Sequence, residues 1–325
     1  MLEATPTFSV VIPSYNRAAL VVRAVRSALA QSIPPAEILV VDDGSTDNTE
    51  ARLRELGPGL RYFRQNRGGP ARARNRGVEL ATSRWVAFLD SDDMWDPMYL
   101  EAMAKAIVAT DGRAAVYFAD AEVAGSDSSL TLWEQADFSI AGVHALFAEA
   151  HELVLREIQP MLLQFSVFDR ERYLELGGLH EELMTAEDTH LFLRCGLRYM
   201  MCAVAVKAGT LTCDDAPENR LTGVFDRRAV GRWKNSVLMY RDILHHDPQL
   251  ARKIRRLLRK RLAESYWRLA RLEWGAGQVR APAGAAVQAL VAHPGIAFTI
   301  LRRSAWKLPR AARERSARSG RSVEG

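Results

Sequence analysis

Apolar and polar positions change their spacing in blocks along the first 120 residues. Continuous apolar runs rich in β-branched residues predict buried strands at residues 8–12, 37–41 and 85–89. Two shorter runs predict strands at 60–64 and 114–119. Apolar residues recurring every three or four positions predict helices at 18–31, 46–56, 72–81 and 97–109, the second capped by Ser45 or Thr46. This alternation predicts an α/β fold with a mostly parallel sheet flanked by helices.

The pattern changes in the later part of the chain. Residues 122–159 show no clear period and are predicted to be irregular, whereas helices are expected at 170–177 and 188–195. From about residue 224 the chain is predicted to be helical, and after residue 310 Arg, Ser and Gly dominate, which favours disorder. We therefore expect an α/β domain at 1–225, a helical C-terminal region at 226–310 and a disordered basic tail at 311–325.

The composition favours a globular protein from a reducing compartment. The 325 residues are 48% hydrophobic and 26% charged, which is typical of a globular protein. The three cysteines form no Cys-x-x-Cys pair, which favours a reducing compartment. No signal-peptide pattern and no apolar run of about 18 residues is found, so a cytoplasmic location is predicted.

Charge is divided unevenly along the chain. Residues 251–325 hold 18 Lys/Arg and 4 Asp/Glu, whereas residues 1–250 carry a net charge of −9. The acidic first part argues against nucleic-acid binding, and no base-reading motif accompanies the basic part. In residues 250–273 apolar side chains at helical spacing are surrounded by Lys and Arg. This segment is either a helix packed on the first domain with a solvated basic face, or a peripheral helix on the anionic inner face of the membrane.

Polar clusters follow three of the predicted strands. They are residues 13–17 (PSYNR), 42–47 (DDGSTD) and 90–93 (DSDD). Ligands of open α/β sheets bind beyond the carboxyl ends of the strands, so three clusters at strand ends predict a ligand site.

Two of these clusters have a specific chemical interpretation. Asp90 and Asp92, one residue apart, could bind Mg²⁺ or Mn²⁺, which prefer carboxylate oxygens together with substrate phosphates. Asp43 could accept hydrogen bonds from a nucleobase or ribose. In both clusters the alternative is a polar turn whose side chains cap the next helix.

Two further segments open predicted helices. Residues 68–77 (GGPARARNRG) place glycines and arginines at a helix start, which favours anions, although this is neither a Walker loop nor a dinucleotide-binding motif. Glu187 and Asp188 begin another helix, where acidic residues are ordinary capping residues. The helix dipole predicts a low pKa for Asp188, which would then be charged at neutral pH.

Five blocks in this order resemble glycosyltransferase family 2. They are residues 10–17, 41–47, 68–77, 88–97 and 177–194, and the likeness extends over roughly residues 7–225. The resemblance implies a GT-A fold and an inverting transfer of a sugar from a UDP-, GDP- or dTDP-sugar to a hydroxyl group.

The resemblance also implies roles for individual residues. Those matching family positions at the nucleotide are Pro13, Tyr15, Asp43, Arg74 and Asp90. Asp92 matches the metal-contacting member of the family's Asp-x-Asp motif, and Asp188 matches the residue taken as the catalytic base.

Two places depart from the family pattern. His180 stands where an aromatic residue is usual, so it either faces the acceptor, beside Glu187, or fills a partly polar surface. Arg220 and Thr222 resemble the family's Arg…Thr segment, but the residues between them match poorly.

The predicted function is therefore that of a metal-dependent glycosyltransferase with a nucleotide diphosphate sugar donor and a saccharide or lipid-linked acceptor, acting in the synthesis of a polysaccharide, glycolipid or other glycoconjugate. One alternative is a sugar nucleotidyltransferase, which would carry a Gly-rich, Lys-bearing loop after the first strand. The other is a non-catalytic binding or scaffolding protein on the same fold.

Overall fold

A computed structural model describes residues 5–57, 59–123, 130–211, 229–247, 249–275 and 280–295 of the chain. Contacts divide the chain into two units, Met1–Arg227 and Arg228–Gly325. Arg220, Thr222 and the tail at 311–325 lie outside the described residues.

The first unit is built on a sheet whose amino-terminal part is parallel. Its first four strands are β1 (Phe8–Ser14), β2 (Glu37–Asp42), β3 (Leu60–Arg64) and β4 (Trp85–Phe88). They lie in the order β3-β2-β1-β4, and all three pairings are parallel. Every residue of β1 and β4 is buried, which explains their continuous apolar runs. The predicted α/β alternation is confirmed here, and the carboxyl ends of β1, β2 and β4 share one edge.

Later strands make the sheet mixed. They are β5 (Met94–Trp95), β6 (Val116–Val123), β7 (His144–Phe147), β8 (Ser166–Asp169) and β9 (Met201–Leu211). The order continues β4-β8-β6-β9-β5, and β7 also pairs with β9. β8 is antiparallel to both β4 and β6, whereas β6 and β9 are parallel.

Eight helices accompany this sheet among the described residues of the first unit. They are α1 (Ala18–Leu29), α2 (Thr49–Arg54), α3 (Pro70–Leu80), α4 (Tyr99–Ala109), α5 (Leu132–Gln135), α6 (His151–Val154), α7 (Arg170–Glu175) and α8 (Glu187–Arg198). α3 begins with a proline, which suits the first helical position. A Cβ on Gly77 would lie 2.2 Å from Val11 Cγ1, so α3 packs directly against β1. This close packing fixes the polar face of α3 near the sheet edge that carries the site.

The stretch at 122–159, predicted to be irregular, contains three short elements after the end of β6, counted over its described residues. These are α5, β7 and α6, each of four residues. Thr131 and Glu134 form a capping box at the start of α5. Four residues contain the helical period of 3.6 residues only once and the strand period of two residues only twice, so the repeat is too short for periodicity to predict these elements.

Helices form the described part of the second unit. They are α9 (Ala229–His246), α10 (Arg252–Gly275) and α11 (Arg280–Ala292). On α10, Leu258, Leu262 and Leu269 are buried. Among the described residues, no helix combines the length and the apolar character needed to span a bilayer.

Candidate active site

The loops that follow β1 and β2 are joined by side-chain hydrogen bonds. The Asn16 backbone N–H donates to Ser45 Oγ (2.8 Å), and the Thr46 N–H donates to Asn16 Oδ1 (2.7 Å). Asn16 has a φ of 51°, in the left-handed region that asparagine tolerates. The prediction that Ser45 or Thr46 caps a helix is wrong: Ser45 is used between the loops, and α2 begins at Thr49.

Asp43 holds the loop that precedes α3. Its Oδ1 accepts hydrogen bonds from Gln65 Nε2 and the Gly68 N–H, both at 2.8 Å, and its Oδ2 accepts from the Gly69 N–H at 2.7 Å. Gly69 has a φ of 92°, which favours glycine at this turn. We call Asp43, Gln65, Gly68 and Gly69 the loop cradle. A carboxylate has about four acceptor positions, so these three bonds leave one for a ligand.

Pro13 and Tyr15 lie close to the loop cradle in the fold, because the Asp43 N–H donates to the carbonyl of Ser14, the residue between them, at 2.8 Å. Pro13 is buried near the end of β1, opposite Val41 of β2. The Arg67 guanidinium lies over the Tyr15 ring, 4.3 Å from its centroid. The two loops therefore present an aromatic ring and a cation on this side of the sheet edge.

Three aspartates after β4 lie together. Carboxylate oxygens of Asp90, Asp92 and Asp93 are all within 4.8 Å of one another. The Arg17 guanidinium forms an ion pair with Asp92. Burial and the charge of Asp90 raise the pKa of Asp92, although Arg17 opposes this shift. All three groups offer the hard oxygen ligands that Mg²⁺ and Mn²⁺ prefer, so the residues present fit such an ion.

Arg74 on α3 connects these aspartates with the start of α8. Its Nη2 donates to Asp90 Oδ1 at 2.5 Å, and its Nη1 donates to Glu187 Oε1 at 3.3 Å. The Arg74 side chain is 8% exposed. Burial alone would lower the pKa of Arg74, but Asp90 and Glu187 outweigh it and raise that pKa.

Glu187 and Asp188 are the first two residues of α8. Ala186, which precedes them, has a φ of 64°, an uncommon backbone conformation for a residue with a side chain. Burial raises the pKa values of both carboxyl groups, the charge of Asp188 raises that of Glu187 further, and Arg74 opposes both shifts. The prediction of a low pKa for Asp188 is wrong in direction. Burial of the Asp188 carboxyl group raises its pKa, and this outweighs the hydrogen bonds from Thr189 and the charge of Arg74, which lower it.

We call these residues together the charge cluster: Asp90, Asp92, Asp93, Glu187 and Asp188, with Arg17 and Arg74. Within the part of the chain that the structure describes, five carboxyl groups face two guanidinium groups in this partly buried site. This excess of acidic groups attracts a divalent cation and disfavours a diphosphate in the absence of one.

Asn75, next to Arg74, holds the loop at residues 177–179. Its Oδ1 accepts from Tyr173 Oη (2.7 Å) and the Leu179 N–H (2.8 Å), while its Nδ2 donates to the Leu179 carbonyl (2.9 Å). A Cβ on Gly178 would lie 2.5 Å from Asn75 Oδ1, and Gly178 has a φ of 68°. Arg194 of α8 donates to the Gly178 carbonyl. Sequence reasoning treated these residues only as a family pattern and missed this function in holding the loop.

His180 follows this loop and is partly buried. Its ring contacts the His190 ring edge to face, with centroids 5.5 Å apart. The Leu183 N–H donates to its carbonyl. The hypothesis that His180 or Glu187 faces an acceptor stays a prediction.

Comparisons with known proteins identify the family. A glycosyl transferase family 2 model matches residues 9–151. The succinoglycan biosynthesis protein ExoO of Rhizobium meliloti (strain 1021) is 35% identical over 217 residues, which are 64% of this chain and 61% of that protein. The chain thus spans about three fifths of that relative and at most a third of several other curated relatives.

Solved structures agree with the fold. TarS 1-349 of S. aureus has a TM-score of 0.64 and 19% identity, covering 89% of this chain and 81% of TarS 1-349. The same TarS fragment is also known in complex with UDP-GlcNAc (TM-score 0.62, 19% identity, 87% and 79% covered). The mannosyltransferase PcManGT of Pyrobaculum calidifontis, in complex with GDP-Man and Mn²⁺, has a TM-score of 0.54 and 20% identity, covering 93% of this chain and 85% of its own. The chain therefore carries a glycosyltransferase family 2 domain, and its α/β unit has a GT-A fold.

Proposed function

We propose that this protein is an inverting, cation-dependent glycosyltransferase that moves a sugar from a nucleoside diphosphate sugar to a hydroxyl group of a saccharide or lipid-linked acceptor. One observation carries the proposal. Arg74 contacts both Asp90, on the predicted nucleotide and metal side, and Glu187, which precedes the predicted base Asp188. Arg74 therefore contacts both a residue assigned to the leaving group and the residue next to the assigned base.

The nucleotide is assigned to the loop cradle. Tyr15 and Arg67 offer a surface for a base, with Pro13 near the end of β1. The last acceptor position of Asp43 suits a base N–H or a ribose hydroxyl. The bound nucleotides named for TarS and PcManGT, UDP-GlcNAc and GDP-Man, support a donor of this class.

The diphosphate is assigned to the charge cluster. Asp92, with Asp90 and Asp93, would hold Mn²⁺ or Mg²⁺, and the bound cation would offset the negative charge of the diphosphate leaving group. The carboxylates that now pair with Arg17 and Arg74 are the same ones that would face the cation. Both guanidinium groups would then be able to contact phosphate oxygens.

The proton transfer is assigned to Asp188. As the acceptor oxygen forms a bond with the anomeric carbon, the bond from that carbon to the diphosphate oxygen breaks, and Asp188 takes the hydroxyl proton. The acceptor attacks from the face opposite the leaving group, so the configuration is inverted. The raised pKa supports this role, because a general base works best when its pKa lies near the operating pH.

The proposal is tested by turnover on a panel of nucleotide sugars. Release of the nucleoside diphosphate is measured with UDP-, GDP- and dTDP-sugars, saccharide acceptors and Mn²⁺ or Mg²⁺. Asp92→Asn is expected to abolish cation-dependent donor binding, measured by calorimetry, while leaving the circular dichroism unchanged. Asp111→Asn, the same change at an exposed position on a turn, is the matched control.

Three outcomes would contradict the proposal. Full activity in excess EDTA, or unchanged turnover of Asp92→Asn, would remove the cation assignment. Donor binding without transfer to any acceptor would favour the non-catalytic alternative. Release of inorganic pyrophosphate from a nucleoside triphosphate would favour the nucleotidyltransferase.

A further inference from the structure

Helix α11 of the second unit presents apolar side chains to solvent. Val287 is 57% exposed, Leu290 44% and Val291 71%. With exposed Ala283 they recur at intervals of four, three and one residues, which places them on one helix face. The opposite face packs inward through Ala289, which is fully buried. Large apolar side chains that are exposed side by side on a protein surface indicate an interaction site.

The neighbouring helix α10 supplies a dense positive charge. Seven of the ten residues at 252–261 are Lys or Arg, and none is acidic. Five of these side chains are exposed: Arg252, Lys253, Arg256, Arg259 and Lys260.

The charges and the apolar face lie side by side. Ala263 of α10 and Ala289 of α11 form the centre of one small apolar cluster. Since only four residues separate the two helices, α11 must run back along α10 to make this contact. Arg259 and Lys260, one turn before Ala263, therefore flank the end of α11 that carries Val291.

Trp274 adds a residue typical of membrane interfaces. It lies in the last turn of α10 and is 61% exposed. An indole ring suits the interface because it has an apolar body and a polar N–H.

We propose that α10 and α11 form a docking surface for an anionic bilayer. We call it the α10–α11 surface: the apolar face of α11, Trp274 and the exposed cations of α10. Apolar side chains at one helix face, flanked by Lys and Arg, are the pattern that binds the boundary between headgroups and acyl chains. The sequence-based hypothesis assigned both charge and apolar contact to residues 250–273, but Leu258, Leu262 and Leu269 there are buried. In this proposal α10 supplies the charge and α11 the apolar contact.

The test measures binding of the full chain to vesicles, without turnover. Cosedimentation is compared for phosphatidylcholine vesicles with and without phosphatidylglycerol, at low and high salt. Binding is expected only with the anionic lipid and should weaken with salt. Val287→Glu with Val291→Glu should lower the affinity at least about tenfold, because charges at these positions oppose insertion. Arg256→Gln, Arg259→Gln and Lys260→Gln together should lower both the affinity and its salt dependence.

Matched controls separate this surface from a general effect of charge or unfolding. Val143→Glu adds a charge at a 74% exposed valine of the first unit and should leave vesicle binding unchanged. Val287→Ser with Val291→Ser removes apolar area without adding charge, and it should also weaken binding, with unchanged circular dichroism.

Several results would overturn the proposal. These are absence of binding at low salt, equal binding to neutral vesicles, or full binding by both double variants at positions 287 and 291. A dimer in light scattering that the same variants dissociate, without any vesicle binding, would assign the face to a second copy of the chain. If the wild-type chain binds vesicles but transfers no sugar in the turnover assays, the proposed function is refuted and the membrane-docking proposal is supported.

Discussion

The carboxylates of two regions at the same sheet edge, the loop cradle and the charge cluster, are held in different ways. In the loop cradle, Asp43 accepts three hydrogen bonds, two of them from the backbone N–H groups of Gly68 and Gly69. In the charge cluster, Asp90 and Asp92 are paired with the long side chains of Arg74 and Arg17. Backbone donors are fixed by the chain, whereas arginine side chains can rotate to new partners.

The difference separates a structural carboxylate from exchangeable ones. The Asp43 carboxylate is already used to shape a loop, so a ligand adds to its contacts. The carboxylates of Asp90 and Asp92 are neutralised by arginine side chains, which a bound metal ion could replace as their partners. Both motifs, DDGSTD and DSDD, follow a buried strand and look alike in sequence, so only the partners of each carboxylate distinguish them.

The prediction with the largest expected effect tests whether the charge cluster contains the catalytic base. Asp188→Asn keeps the shape of the side chain and removes its basicity, so sugar transfer should fall by roughly 10²–10⁴-fold. Donor affinity, measured by calorimetry, should hardly change. Glu187→Gln, at the preceding position, should reduce transfer less, because Glu187 is assigned to contacting Arg74.

The opposite pattern would reassign the base. If Asp188→Asn transfers sugar near the wild-type rate while Glu187→Gln is inactive, Glu187 is the base. If both variants stay active, this pair has no part in proton transfer.

The second prediction compares the free energy of unfolding of one variant in the loop cradle with that of one variant in the charge cluster. Asp43→Asn replaces an acceptor by an N–H₂ group facing the backbone N–H groups of Gly68 or Gly69, so at least one donor of these part-buried hydrogen bonds loses its partner. The free energy of unfolding should fall by about 1–3 kcal/mol, measured by urea denaturation. Asp92→Asn should leave it unchanged or higher, because it relieves like charges that lie close together. Equal losses in the two variants would show that the two groups are held alike.

Much of the fold could be predicted because its strands are buried on both faces. β1, β2 and β4 are short apolar runs bounded by turn residues, and each was predicted to within two residues at either end. β8 and β9 were missed. β8 is a four-residue strand directly before α7, and the apolar residues of β9 continue directly from those of α8, so neither is separated by a turn signal.

The residues of the candidate site could be predicted from the sequence, but the contacts between their side chains could not. The strand-end clusters correctly indicated that the loops after β1, β2 and β4 share one edge, because parallel strands place their ends together. The contact between Arg74 and Glu187 joins residues 113 positions apart, and no local pattern encodes it. The pKa of Asp188 was misjudged for the same reason, since burial among distant carboxylates is not visible in a helix-start pattern.

The third prediction concerns pH. A carboxyl group whose pKa is raised on folding contributes stability that is present below its unfolded pKa and is lost as the pH rises through the raised value. Glu187→Gln removes this titration, so the difference in Tm between variant and wild type should grow from about pH 5 to about pH 8 in EDTA, in favour of the variant. Glu101→Gln is the control: hydrogen bonds from Lys105 and Ser32 lower the pKa of Glu101, so its removal should give no advantage that grows with pH. A variant advantage that shrinks with pH would mean that the pair with Arg74 outweighs burial.

The smallest expected effect tests whether Arg17 and the cation compete for Asp92. Arg17→Gln removes the guanidinium that pairs with Asp92 in the absence of ligand. Because this ion pair keeps some contact with solvent, which weakens it, the gain in Mn²⁺ affinity should be only about 2- to 10-fold, measured by electron paramagnetic resonance without nucleotide. Arg76→Gln, which removes an exposed arginine paired with Glu79 on α3, is the matched control and should leave Mn²⁺ binding unchanged. A lower Mn²⁺ affinity in Arg17→Gln would show that Arg17 holds Asp92 in the orientation that the cation requires. In that case the contrast with the loop cradle would disappear, since both carboxylates would be held in place by their protein partners.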